Sequence, residues 1–178
     1  MAEAEQIADS VGLHRLTLAA LADQVGVRQP SLYKHIEGMD ELQRYISIRA
    51  KTEVAAVLGR AAVGRSRGDA IEAMAKAYRT WAHQHPGRYA AAQRAPREGD
   101  ADDEVASSAV VQVVADVLAG FNLAGDDAID AIRALRSTLH GFVSLEAAGG
   151  FGLPVDVDRS YDRLVSGFVS AVSTWNER

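Results

Sequence analysis

The sequence contains no cysteine, which removes disulfide scaffolds, thiolate zinc sites and cysteine nucleophiles together. Proline is sparse, with 4 residues in 178, and so are aromatics, with 2 Trp, 5 Tyr and 4 Phe. The core must therefore be mainly aliphatic. Period-two alternation bounded by turns is also missing, so no β-sheet is expected. The apolar runs read as short and interrupted by charge, and Met1-Ala2-Glu3-Ala4-Glu5 is acidic where a secretory leader would be basic and then apolar. These two absences predict a cytoplasmic protein with no membrane partner. What is present is ordinary for a folded chain: 48% hydrophobic and 24% charged residues, enough for one compact domain or a small domain fused to a medium one. A large multidomain enzyme is excluded.

The net charge of -5 is unevenly distributed. Residues 1–97 carry 14 Lys and Arg against 10 Asp and Glu, whereas residues 98–178 carry 5 against 14. A net +4 in the first part can approach a polyanion, while the -9 of the remainder keeps the molecule in solution. An uneven solvated surface would give the same sums, so charge alone does not decide.

Apolar residues recur at helical spacing along nearly the whole chain, predicting an all-α fold of about nine helices. A first helix ends near Val11-Gly12. Thr17 caps a second, Leu18 to Val25, which Gly26 stops. A third starts at Gln29-Pro30, where proline's missing N–H costs nothing, and runs to about Ile36. Asp40 is expected to cap a longer helix reaching Leu58. Gly59 to Gly68 reads as a linker, after which Asp69 and Glu72 form a capping-box pattern. That box opens a helix with Ile71, Met74, Ala75, Tyr78 and Ala82 on one stripe, closed by His85-Pro86. A short helix over Arg88–Gln93 and a polar loop over Ala95–Asp103 precede three long helices: Glu104–Phe121, valine-rich and expected to be buried, Asp127–Ala147, and Asp156 to about Asn176.

Thr17 to Ile36 carries the function. Two short helices joined by a glycine turn have helix-turn-helix geometry, with Leu18, Leu21, Val25, Val27, Leu32 and Ile36 as the small core between them. The outer side then presents Arg28, Gln29, Ser31, Tyr33, Lys34 and His35, all able to hydrogen-bond and none acidic. Arg and Gln can read base edges with two hydrogen bonds each, while Ser, Tyr and Lys reach phosphates. The polar face of a helical hairpin with no partner would have the same pattern.

The run Leu16-Thr17-Leu18-Ala19-Ala20-Leu21-Ala22, then Val25-Gly26-Val27, then Ser31-Leu32-Tyr33-Lys34-His35-Ile36, resembles the tetracycline-repressor (TetR) family of transcriptional regulators. The string Leu139-His140-Gly141-Phe142-Val143-Ser144-Leu145-Glu146, followed by Gly150-Phe151-Gly152-Leu153-Pro154, is similar to one carboxy-terminal ligand-domain subtype of that family. The resemblance implies a helix-turn-helix DNA-binding domain over residues 1–45 and a helical ligand-binding and dimerisation domain over 46–178. It implies phosphate contacts from Thr17 and Tyr33, groove-facing Arg28, Gln29 and Ser31, and backbone contacts from Lys34 and His35. The partners so implied are double-stranded DNA, a second copy of the chain and a small-molecule effector, with no cofactor, no metal and no catalysis. A repressor released from a palindromic operator by a largely apolar ligand is the expected behaviour. The resemblance also implies a basic arm before the first helix, which this sequence does not contain, and often a lysine where Met39 stands. A helical ligand-binding or interaction protein with a non-functional head is the alternative.

Two stripes in the body complete the expectation. Met74, Tyr78, Trp81, Tyr89, Val110, Val114 and Val117 could line an effector cavity, though such residues more often form plain core. Leu135, Leu139, Phe142 and Val143, with Tyr161, Leu164, Val165, Phe168, Val169, Val172 and Trp175 at three-four spacing in the last helix, are expected to build a dimer interface, unless the stripe packs internally. Several decoys fall on context. Gly59 to Ser66 nearly spells a phosphate-binding loop, and Gly64-Arg65-Ser66-Arg67-Gly68 spells a nucleophile elbow, but both motifs require a preceding strand. His83 and His85, two apart on a helix, point away from each other. His140, in an apolar stretch, reads as a core or interface histidine.

Overall fold

A computed structural model describes residues 1–175, and among these helix is the only regular secondary structure. The elements are α1 (Ala2–Val11), α2 (Leu18–Val25), α3 (Gln29–Leu32), α4 (Met39–Ala62), α5 (Arg67–Gln84), α6 (Pro86–Ala92), α7 (Ala101–Leu118), α8 (Gly125–Ala147) and α9 (Val157–Ser173), with 3-10 turns at Leu13–Arg15 and Ala119–Phe121. The expected extension of the last helix to Asn176 lies outside the described residues. By contacts the chain forms two compact units, Met1–Val54 with Trp81–Ala109, and Ala55–Thr80 with the chain from Val110 onward.

In the first unit, α1, α2 and the start of α4 close a core of Ala4, Ala8, Leu16, Leu18, Leu21, Ile36, Leu42 and Ile46, joined by Ala91 of α6. The approach of α6 to α1 leaves no room for a side chain at Gly87, where an added Cβ would lie 2.1 Å from the Ala8 carbonyl. Next to this contact Asp9 accepts from the Arg88 backbone N–H (2.9 Å) and from its guanidinium Nε (2.8 Å), and Arg88 Nη1 also reaches Glu53 (2.7 Å). Glycine thus permits the close approach and the ion pairs fix its register.

The second unit is built on Ile71, Ala75, Leu118, Phe121, Leu135, Leu139, Tyr161, Val165, Phe168 and Val172. Arg79 of α5 ties it together. Its guanidinium holds Glu146 of α8 (2.8 and 2.5 Å) and Asp158 of α9 (2.7 Å) and lies 4.9 Å from the Tyr161 ring centroid. The Tyr161 hydroxyl in turn donates to the Ala75 carbonyl at 2.7 Å.

Several expected boundaries move. Gly59 does not end α4, which continues to Ala62, so the supposed linker shrinks to the turn before Arg67. The helix opened by Arg67 starts two residues ahead of the Asp69 and Glu72 pattern, which therefore does not cap it. Asp40 sits inside the first turn of α4 and does not cap it; its carboxylate is taken by Arg94 (2.8 Å) and Arg97. The loop expected over Ala95–Asp103 is helical from Ala101, because Asp100 is held by Arg44 and Asp103 by Lys51, each at 2.5 Å. The valine-rich α7 is not buried all round: Ala106 and Leu118 are, but Val105 is 70% exposed. By length and composition alone Ala101–Phe121, with mean hydropathy 1.5, could cross a membrane, a run the sequence reading did not recognise.

Candidate nucleic-acid interface

The local chemistry of the head follows the sequence closely. Thr17 is extended (φ -132°, ψ 155°), and its hydroxyl accepts from the Ala20 N–H at 3.1 Å, satisfying one of the unpaired donors that open α2. Gly26 ends the helix in the left-handed region (φ 70°, ψ 31°), where a residue with a Cβ would be strained. The chain then reverses over Val27 and Arg28, and Pro30 sits in the first turn of α3.

α3 is one turn shorter than expected. After Leu32 the backbone continues as tight turns, with Lys34 N–H donating to Ser31, and both His35 and Ile36 N–H to Leu32. The segment is held by half-buried Leu32 and buried Ile36. Val25 and Val27, expected in the small core, are instead 41% and 42% exposed. Val25 lines an open cleft of about 290 Å³ with Leu21, Leu32, His35, Ile36 and Leu42.

All seven residues expected to contact DNA, Thr17, Arg28, Gln29, Ser31, Tyr33, Lys34 and His35, are exposed. Six of them lie within eight consecutive positions of the turn and α3, with no acidic residue between Val25 and Ile36. Arg28 and Lys34 have no ion-pair partner among the described residues. Cations of α4, of α6 and just after α6 behave differently: Arg49 is bound to Glu5 (2.5 Å), Arg44 to Asp100, Arg88 to Asp9 and Arg94 to Asp40. Several cations of this unit are thus neutralised internally, whereas Arg28 at the turn and Lys34 just after α3 are left available, as is Arg15.

The body residues are distributed differently. Tyr78, Val114 and Val117 pack against the core of the second unit, where Met74 is buried and Val110 half-buried. Trp81 and Tyr89 are buried in the first unit, Trp81 meeting His85 edge-on at 5.8 Å. Of the residues expected at a dimer interface, Leu135, Leu139, Val143, Val165, Phe168 and Val172 are buried within the chain. Phe142 stacks between Phe151 (4.6 Å) and Tyr161 (5.0 Å), and Leu164 is exposed. Sequence reasoning missed the buried Lys51–Asp103 pair and the unpartnered Ser47 and Ser107 beside it. The available signal was a lysine on the same stripe as Ile46, Ala50 and Val54.

A side-chain-capped helix, a left-handed glycine and a second helix whose outer side is polar and free of acid define a helix-turn-helix DNA-binding protein. The comparisons agree. Residues 71–168 match the tetracyclin repressor-like, C-terminal domain family. The uncharacterized HTH-type transcriptional regulator Rv0681 of Mycobacterium tuberculosis is 40% identical over 159 residues, covering 88% of this chain and 72% of that protein. A second uncharacterized HTH-type transcriptional regulator, YobS of Bacillus subtilis, is 33% identical over 170 residues, covering 95% and 88%. The crystal structure of the regulatory protein SCO4313 superposes with a TM-score of 0.76 at 25% identity, covering 95% of this chain and 92% of that one. The chain belongs to the TetR family of transcriptional regulators. It is a DNA-binding regulator of transcription and not an enzyme. Members of the family usually act as dimers with small-molecule effectors.

Proposed function

We propose that the protein is a homodimeric repressor of cytoplasmic location that leaves a near-palindromic operator when a small molecule enters its helical body. Residues 1–45 serve as the DNA-binding domain and residues 46–178 as the ligand-binding and dimerisation domain. Arg28, Gln29 and Ser31 face base edges, while Thr17, Tyr33, Lys34 and His35 meet the phosphate backbone. The observation that carries this reading is the uniform exposure of these seven side chains on a segment with no acid.

The dimer uses α8 and α9, whose inner stripes already serve the core, so the outward positions make the contact. On α9 these are Ser160, Leu164, Gly167 and Ala171, all exposed at four-three-four spacing, and on α8 Ser137, Gly141 and Ser144. Small residues let a partner helix approach closely, and two helices from each copy form a four-helix bundle. Effector binding centres on Trp81, and Tyr78, Val114 and Val117 act as core. A gel-shift and footprint on the DNA upstream of its own gene tests the whole reading. A protected site with two related halves is expected, and no shift above that given by unrelated DNA refutes it.

A further inference from the structure

The first unit is acidic as a whole, with 9 Lys and Arg against 13 Asp and Glu. Such a surface repels a polyanion except where positive charge is left uncovered. Six of the nine cations are covered: Arg44, Arg49, Lys51, Arg88, Arg94 and Arg97 each hold a carboxylate of the same unit. The three without an ion pair among the described residues are Arg15, Arg28 and Lys34, and all of them fall within residues 15–34. That stretch carries a single acid, Asp23. Arg28 and Lys34 already belong to the helix-turn-helix interface. Arg15 does not, because it precedes Thr17 and stands outside the motif.

The core fixes its setting. Arg15 closes the 3-10 turn Leu13–Arg15, and its backbone N–H donates to the Gly12 carbonyl at 3.0 Å. Leu13 packs against the apolar core of the head and Leu16 is 3% exposed within it, so the turn is anchored on both sides of Arg15. With Leu16 turned inward, its neighbours Arg15 and Thr17 are both left exposed. Thr17 opens α2, and Arg28 follows the far end of that helix. Its eight residues span about 12 Å, close to the width of the major groove.

We propose that Arg15 is a further DNA contact, its guanidinium gripping a backbone phosphate at the edge of the groove in which Arg28 and Gln29 lie. A planar fork of N–H donors suits two phosphate oxygens at once. The proposal rests on the helix-turn-helix reading above and adds a contact that neither the motif nor the helical pattern marks.

The test titrates the full chain against two duplexes, the DNA upstream of its own gene and a scrambled copy, by fluorescence anisotropy across a salt series. Arg15→Gln should weaken both duplexes alike and lower the slope of log K against log salt by about 0.9 per protomer, so that its deficit shrinks about threefold per protomer between about 50 and 200 mM salt. Arg15→Lys keeps the charge and should keep the slope. Arg60, an exposed arginine of the second unit that also has no ion pair among the described residues, separates a contact from a loss of net charge: Arg60→Gln should leave the slope unchanged. Phosphate-ethylation interference locates the contact. One phosphate per half-site whose ethylation weakens the parent should become silent in Arg15→Gln, and it should differ from the one silenced by Lys34→Ala. A parent-like slope in Arg15→Gln overturns the proposal and leaves the helix-turn-helix reading standing. So does an equal loss of slope in Arg60→Gln, or a deficit that is the same at every salt concentration and accompanied by a lower melting temperature. Failure of the parent to bind either duplex overturns the interface and the proposal together.

Discussion

Tyr33 and Lys34 are neighbours, but replacing them should have different signatures. Both face the phosphate backbone in the proposed complex, so Tyr33→Ala and Lys34→Ala should weaken binding on every DNA sequence, and Lys34→Ala should also reduce the slope of log K against log salt by about one. Gln29→Ala should instead relax base preference at one position per half-site, at a cost of about 1–3 kcal/mol on the preferred sequence. Fluorescence anisotropy over a salt series, on operator and scrambled duplexes, separates the two. A single histidine gives a pH signature. Burial, and then the charge of Arg136, push the His140 imidazole below its usual 6.5. The neutral form is therefore favoured by folding. Its contribution is fully present above the unfolded value of 6.5 and is lost as pH falls through the lower folded value. The difference in urea midpoint between the parent and His140→Gln should shift against the parent from pH 7.5 to pH 5.5.

Between elements, the tightest constraint is that of α6 on α1. Gly87→Ala would drive a methyl group into the Ala8 backbone, so a loss of at least about 1–3 kcal/mol is expected. Gly59→Ala is the contrasting case: this glycine lies inside α4 with open space around its missing Cβ, and the substitution should stabilise by up to about 1 kcal/mol. Thermal melts of the two variants should move in opposite directions. These elements also show what the sequence could and could not reveal. α2 was legible to the residue because its ends are decided locally, by the Thr17 hydroxyl and the left-handed Gly26. The starts of α4 and α7 were not, because Asp40 and Asp100 are claimed by arginines 54 and 56 positions away, and no local rule sees those partners. The stripes of α8 and α9 were correctly found at helical spacing, but periodicity reports burial without naming the surface that does the burying. The exposure of the seven positions proposed to meet DNA was legible because it follows from a short amphipathic pattern; the unpartnered Ser47 and Ser107 were not, since the one serine of α4 and one of the two on α7 carry no mark.

For the molecule as a whole, the proposed dimer would set the geometry of function. Two recognition segments that read successive major grooves must lie about 34 to 36 Å apart, which ties operator spacing to the α8–α9 pairing. Leu164→Glu tests that pairing without disturbing the core, since Leu164 is exposed within the chain. Light scattering should show the parent as a dimer and the variant as a monomer, with helix content by circular dichroism unchanged and operator affinity reduced. A parent already monomeric at micromolar concentration would refute the interface. The contrast between cations tied up on α4 and α6 and cations left open at the turn and α3 has a practical outcome at the bench. A protein of net charge -5 is expected to adsorb to an anion exchanger at neutral pH. Because Arg28 and Lys34 meet no internal carboxylate, the same protein should also be retained on heparin, a polyanion with no base sequence, and elute earlier once Lys34 is replaced by alanine.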